Sequence, residues 1–239
     1  MLVAAAVCPC PPLLLPEVAA GAAPELDDAR NACLDALGVL AAARPDLLVV
    51  TGPAGPDGHG PFPPGSAGSF AGFGVDLAVR LGRAPEEAPA PDRPLPASLA
   101  VGAWLLDRAR WDAAPAEGLG VAETLPADRC LSAGAALAAR AERVALLVMG
   151  DGSACRTVKA PGYLDERAAD FDAAAVRALG EADLAALGAL DASLAYELKA
   201  AGRAPWQVLA GAAQGAGLAG RLLYEAAPYG VGYAVAAWS

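Results

Sequence analysis

Val144-Ala145-Leu146-Leu147-Val148-Met149-Gly150-Asp151-Gly152-Ser153 is the stretch on which the fold of this 239-residue chain turns. Six apolar residues without polar alternation are what a strand covered on both faces requires. The abrupt change to Gly-Asp-Gly-Ser then places a polar loop at the carboxyl end of that strand, where ligands gather in open α/β sheets. The loop runs on through Ala154-Cys155-Arg156-Thr157-Val158-Lys159-Ala160-Pro161-Gly162-Tyr163. It brings acid, hydroxyl, thiol, guanidinium and amine within ten residues, so it is the first candidate site. A capped connection from strand to helix is the competing reading.

Working outward, strands and helices alternate. Leu2 to Val7 reads as a first buried strand, ended by Pro9, Pro11 and Pro12. A helix is expected from Glu25 to Ala43, its first turn carrying Glu25, Asp27 and Asp28 against the helix dipole. Asp46 to Thr51 is a second buried strand. Residues 52–74 form a long Gly/Pro-rich loop of the kind that serves as a lid or binding loop. Val75 to Val79 reads as a short strand and 83–96 as a proline-rich surface excursion.

Helices are expected over Ala97 to Arg110 and Asp128 to Glu142, the second opening on an acid suited to capping, with an edge strand at Gly120 to Thr124 between them. Further helices fall near 165–180, 183–188, 191–201 and 204–216, with Asp183 and Asp191 as N-caps. Arg221 to Glu225 and Gly232 to Trp238 close the chain as strands. The pattern predicts one α/β domain over residues 1–239, with a central, mostly parallel or mixed sheet and helices on both faces.

Composition narrows the function classes. Hydrophobic residues make up 56% and charged residues 18%, a globular balance in which alanine is abundant. The net charge of -10 argues against a general nucleic-acid surface, which needs a basic face to displace counterions. No apolar run reaches the length of a membrane span, and Met1 to Val7 lacks the basic start of a signal peptide. A cytoplasmic protein without membrane contact is expected. The five cysteines, at 8, 10, 33, 130 and 155, form no CxxC pair and are expected to be reduced. Cys33 and Cys130 sit in helical stretches as buried thiols, whereas Cys8, Cys10 and Cys155 stand at the ends of apolar runs.

The region from Gly150 to Ala212 resembles the C-terminal half of the catalytic subunits of class III extradiol ring-cleavage dioxygenases. That family carries a G-D-x-S-H motif after a strand, then a P-G segment, an F-D pair opening a helix, and a helix reading G-x-x-x-x-x-V-L-x-G-A. Asp151, Ser153, Pro161, Gly162, Phe171, Asp172, Gly202, Val208, Leu209 and Gly211 fall in step with it. Tyr229-Gly230-Val231-Gly232-Tyr233 fits the family's last strand, and Cys8-Pro9-Cys10-Pro11-Pro12 lies where the family carries H-x-P. The resemblance covers nearly the whole chain and implies the family's α/β fold.

It also implies Fe(II), held by two histidines and a carboxylate with positions left open for catechol and O2. Here Cys10 and Ala54 occupy the places of the two histidine ligands, and Ala154 that of the acid/base histidine. Catechol cleavage is therefore expected to be weak or absent. Cys10, His59 and Glu225 are the residues from which a different divalent metal site could be rebuilt, a thiolate shifting preference toward zinc. Cys10 is also the candidate nucleophile, with Asp151, Ser153 and Cys155 as the other candidate catalytic groups.

Arg156, Lys159 and Tyr229 are the candidate contacts to a small-molecule ligand, aromatic or anionic. Arg156 and Lys159 have a second reading as surface partners of Asp165, Glu166 and Asp170. Asp151 and Ser153 have a second reading as acceptors of backbone N–H groups in the turn. Trp206 is expected to pack in the core. Three functions remain open: a ring-opening dioxygenase, an enzyme of other chemistry on the same scaffold, and a non-catalytic binding protein. A homo-oligomer is compatible with each.

Overall fold

The computed structural model describes residues 1–84 and 93–239; most of the proline-rich excursion read at 83–96 lies outside the described residues. Seven strands form the central sheet: β1 (Leu2–Cys8), β2 (Leu47–Ala54), β3 (Gly60–Phe62), β6 (Ala116–Ala122), β7 (Val144–Met149), β8 (Gly220–Ala226) and β9 (Tyr233–Trp238). A two-stranded hairpin, β4 (Ser66–Ser69) with β5 (Ala78–Leu81), stands apart from it. The order across the large sheet is β3-β6-β2-β7-β1-β9-β8. β6, β2, β7 and β1 run parallel, while β3 and β9 are antiparallel to their neighbours. The expected mixed α/β sheet is thus present.

Eight α-helices accompany the strands among the described residues: α1 (Pro16–Ala19), α2 (Asp27–Ala42), α3 (Ala97–Arg108), α4 (Ala127–Ala138), α5 (Arg167–Glu181), α6 (Leu184–Gly188), α7 (Ala192–Glu197) and α8 (Arg203–Ala212). The two-residue period of the strands divides the core. Ala4, Ala6, Cys8, Leu147 and Met149 point to the layer built by α2 and α3, and Ala5, Val7, Leu146 and Val148 to the layer built by α4, α5 and α8. Because both faces are covered, β1, β7 and β9 are buried almost throughout, as their unbroken apolar runs require.

Several boundaries differ from the sequence expectation, each for a local reason. The turn at Ala20–Leu26 is 3-10, so α2 begins at Asp27 rather than Glu25. β2 runs on through Gly52 and Pro53 to Ala54, paired there with β6 alone, its pairing with β7 ending at Thr51. The long loop at 52–74 contains β3 and β4, and the short strand falls at Ala78–Leu81 rather than 75–79. β6 is an interior strand, with β3 pairing along its outer side, where an edge had been expected. Asp128 does not cap α4, whose N-cap is Pro126. Asp183 and Asp191 do cap α6 and α7, accepting from the backbone N–H of Ala186 at 2.9 Å and of Leu194 at 2.8 Å.

The alanine-rich composition has its structural counterpart where α4 crosses α8. A Cβ on Gly134 would stand 1.9 Å from the carbonyl oxygen of Val208, and one on Gly211 would stand 2.0 Å from that of Leu131. The two helix backbones touch through these glycines, so a methyl group can be fitted only by separating the helices. Gly38, exposed on α2 with nothing within 4 Å of a Cβ, is the natural contrast. Gly134→Ala is expected to destabilise the fold by about 2–3 kcal/mol, whereas Gly38→Ala should stabilise it by about 0.5–1 kcal/mol through helix propensity. Urea denaturation of the two variants checks both signs, and equal effects would contradict the close helix crossing.

Candidate functional site

Cys10, Asp151 and Ser153 lie at the carboxyl ends of β1 and β7, beside the start of β9. The loop after β7 is lashed to two other segments by its backbone. The N–H of Gly152 donates to the Gly232 carbonyl at 2.7 Å, that of Gly232 to the Ser153 carbonyl at 2.8 Å, and that of Arg156 to the Gly230 carbonyl at 3.0 Å. On its other side the N–H of Gly202 donates to the Asp151 carbonyl, and the N–H of Ala154 to that of Leu198. Glycine is needed for such closeness: a Cβ on Gly150 would lie 2.5 Å from the Gly202 Cα, and one on Gly202 would enter the Trp206 ring.

Cys10 and Asp151 face each other across this junction. The backbone N–H of Cys10 donates to Asp151 Oδ1 at 2.8 Å, and its thiol lies 3.9 Å from Oδ2. Burial raises the Asp151 carboxyl to about 7, against the lowering effect of the Cys10 N–H and thiol. Burial, followed by the charge of Asp151, pushes the Cys10 thiol well above its ordinary value. The same causes hold Tyr233 protonated, burial first and then Asp151 and Cys10. The candidate nucleophile is therefore the wrong way round: a reactive thiolate needs a nearby cation, and Cys10 meets a carboxylate. What this arrangement can do is hold or release a proton on Asp151 near neutral pH.

A second cluster adjoins the first and is built on Asp172 of α5. This carboxylate is 3% exposed, and it accepts from the Ser153 N–H at 2.7 Å, from the Ser153 hydroxyl at 2.8 Å and from Arg156 Nη1 at 3.1 Å. Ser153 is accordingly a donor through both its backbone N–H and its hydroxyl, rather than the acceptor of backbone N–H groups that its place in the turn suggested. Arg156 pairs with Asp172 rather than with Asp165, Glu166 or Asp170. In the sequence Asp172 stood out only as part of the F-D pair. The signal that could have found it was an acid on the buried stripe of α5, in register with Ala168, Phe171, Ala175 and Leu179.

The other candidates lie apart. His59 is exposed, and its Nε2 sits 2.8 Å from the Ala54 carbonyl oxygen. Glu225 is exposed on β8. Cys10, His59 and Glu225 do not come together, and among the described residues no group of three or more His, Cys, Asp and Glu is placed to hold a metal ion. Cys155 is buried, with its thiol against the Leu198 carbonyl at 3.4 Å and its pKa raised by burial, so it is a packing residue. Lys159 is exposed, and the Tyr229 hydroxyl donates to Glu25 at 3.0 Å. Cys8, Cys33 and Cys130 are buried free thiols.

No protein-family model and no curated protein sequence matches the chain. Among solved structures, the chain is similar to the uncharacterized protein JW3007 from Escherichia coli K12, with a TM-score of 0.53 and 16% sequence identity over 99% of each chain. A likeness that spans both chains from end to end at so low an identity is one of fold. No helix among the described residues is long and apolar enough to cross a membrane.

The raised carboxyl of Asp151 gives stability a pH dependence of definite sign. In the folded protein Asp151 holds its proton up to about 7, whereas the unfolded chain releases it near 3.8. The folded state therefore binds more protons, and this group's contribution to stability is full below about pH 4 and is lost as pH rises toward 7. Asp151→Asn keeps an acceptor for the Cys10 N–H and carries no charge. Thermal melts at pH 5 and pH 8 should show the variant gaining stability over the native chain at pH 8 and much less at pH 5. A larger gain at pH 5 would refute the burial argument.

Proposed function

We propose that the chain is a divergent relative of the catalytic subunits of class III extradiol dioxygenases, one that has lost their iron chemistry and serves as a small-molecule-binding protein. The observation that carries this reading is chemical. A facial triad needs two imidazoles and a carboxylate around open coordination positions, and the implied imidazole positions hold a thiol at Cys10 and methyl groups at Ala54 and Ala154. The single histidine is turned onto a backbone carbonyl. These residues do not fit Fe(II).

Loss of a catalytic set while the scaffold persists is ordinary, because function resides in sites carried by a fold. The preserved parts of the resemblance are those that build the scaffold: Asp151 and Gly202 joined through the backbone, and Ser153 joined to Asp172. A second reading, an enzyme of metal-free acid–base chemistry, draws support from Asp151, whose carboxyl titrates near neutral beside Cys10 and Tyr233. A thiol-dependent enzyme is disfavoured by the upward shift of Cys10.

Two measurements test the proposal together. Anaerobic loading with Fe(II), followed by catechol and O2, is expected to give no ring-fission product and no O2 uptake beyond a protein-free control; stoichiometric iron with ring-fission product would overturn it. Alkylation of Cys10 by iodoacetamide, followed by peptide mass mapping, is expected to be slow with no inflection below the ordinary thiol value of about 8.5. An inflection near 6 or 7 would restore the thiol-dependent enzyme.

A further inference from the structure

At the end of the sheet opposite the Cys10–Asp151 junction, a groove of about 760 Å3 lies between the last turns of α3, the start of β6 and the base of the β4–β5 hairpin. A volume of that order suits a small organic molecule. Its apolar lining includes Ala103, Leu106 and Ala116, which are buried, and Trp111, which is half-buried.

Three exposed arginines line the same groove: Arg80 on β5, Arg83 just beyond it, and Arg110 after α3. Among the described residues none of the three is ion-paired, whereas Arg30, Arg140, Arg156 and Arg167 all are. Asp107 and Asp112 also line the groove, which leaves one positive charge over in a chain whose net charge is -10.

The helix end that brings Arg110 there has a defined geometry. The N–H of Trp111 donates to the Leu106 carbonyl at 2.9 Å, and that of Arg110 to the Asp107 carbonyl at 2.9 Å, the paired bonds of a Schellman motif. Arg110 consequently sits at φ +52°, where glycine is the ordinary residue. An arginine at a position built for glycine points to a use for its side chain beyond the fold.

Unpaired like charges around one concavity repel one another, and an anion relieves that repulsion. Arginine offers a carboxylate a planar fork, and an apolar floor with a tryptophan favours a ring behind it. We propose that this groove binds a small aromatic carboxylate, its ring against Leu106 and Trp111 and its charge among Arg80, Arg83 and Arg110. The assignment rests on the small-molecule-binding reading above, and it moves the aromatic or anionic ligand expected at Arg156 and Lys159 to the other end of the sheet.

Naphthoate is the probe, with naphthamide as its neutral counterpart. In the 15N-labelled full chain the four tryptophan indoles report separately, that of Trp111 being assigned by Trp111→Phe or, if this variant fails to fold, by triple-resonance spectroscopy. Naphthoate should move the Trp111 signal saturably while leaving those of Trp206 and Trp238 in place, and naphthamide should bind at least about fivefold more weakly. Arg110→Gly keeps the helix end, because glycine is favoured at that conformation, yet it should weaken naphthoate about threefold or more, as should Arg83→Gln. A Trp111 signal unmoved by naphthoate, naphthamide binding as tightly as naphthoate, or unaltered naphthoate affinity in either arginine variant would each overturn the assignment. Ring fission in the iron assay alongside a saturable Trp111 response would overturn the proposed function and leave this groove standing; a silent Trp111 without ring fission would overturn the groove alone.

Discussion

One buried carboxylate holds the carboxyl-end architecture together. Asp172 reaches from α5 into the loop after β7 and accepts three hydrogen bonds there, two from Ser153 and one from Arg156. A charge so buried is tolerable only when each oxygen is satisfied and a cation stands close. Space is also needed, and glycine provides it: a Cβ on Gly152 would lie 2.8 Å from Asp172 Oδ1, and one on Gly232 would lie 2.5 Å from Oδ2. The loop after β7, the turn before β9 and the first turns of α5 are thereby fixed as one body. The same loop carries Asp151, whose carboxylate accepts from the Cys10 N–H at the end of β1.

The fold was legible because its signals are repeated and local. The apolar runs of β1, β7 and β9 carry no polar alternation, and both faces of each prove to be covered. The caps at Asp183 and Asp191 were readable for the same reason, since a cap needs only its own next turn. One error fell where a distant partner decides, another within a single turn. Nothing local in Ala116–Ala122 says that a three-residue strand will pair along its outer side, so an interior strand resembled an edge. Asp128 had the residue type of a cap but sits inside the first turn, because Pro126 occupies the capping position.

The polar loop after β7 was legible as a loop, and its contacts were much less so. Residue types alone name the groups present, yet what a thiol or an acid does depends on its neighbours in space. Cys10 is set against Asp151 by a contact spanning 141 residues, and burial first, then that carboxylate, push its thiol the wrong way for a nucleophile. Asp172 was hidden because it stands 19 residues from its partner Ser153, among the apolar residues of a helix. Trp206 was correctly placed in the core by its helix position, but that its indole N–H has no partner among the described residues has no sequence signature at all.

On the proposed descent, the manner in which the imidazoles are absent bears on how the scaffold stays stable without them. Replacing a buried ligand by alanine removes a polar group along with its need for a partner, whereas replacement by another polar side chain would leave a donor or acceptor to be satisfied. Ala54 and Ala154 are replacements of the first kind. Ala54 keeps its carbonyl occupied by His59, and Ala154 contributes its backbone on both sides, donating to Leu198 and accepting from Gly162. Cys10 is the intermediate case, since its thiol is only a weak donor, and it faces a carboxyl that titrates near neutral. Asp151 can shed its charge by taking up a proton, so the junction tolerates a thiol beside that carboxyl, and burial holds Asp151 where protonation is favoured.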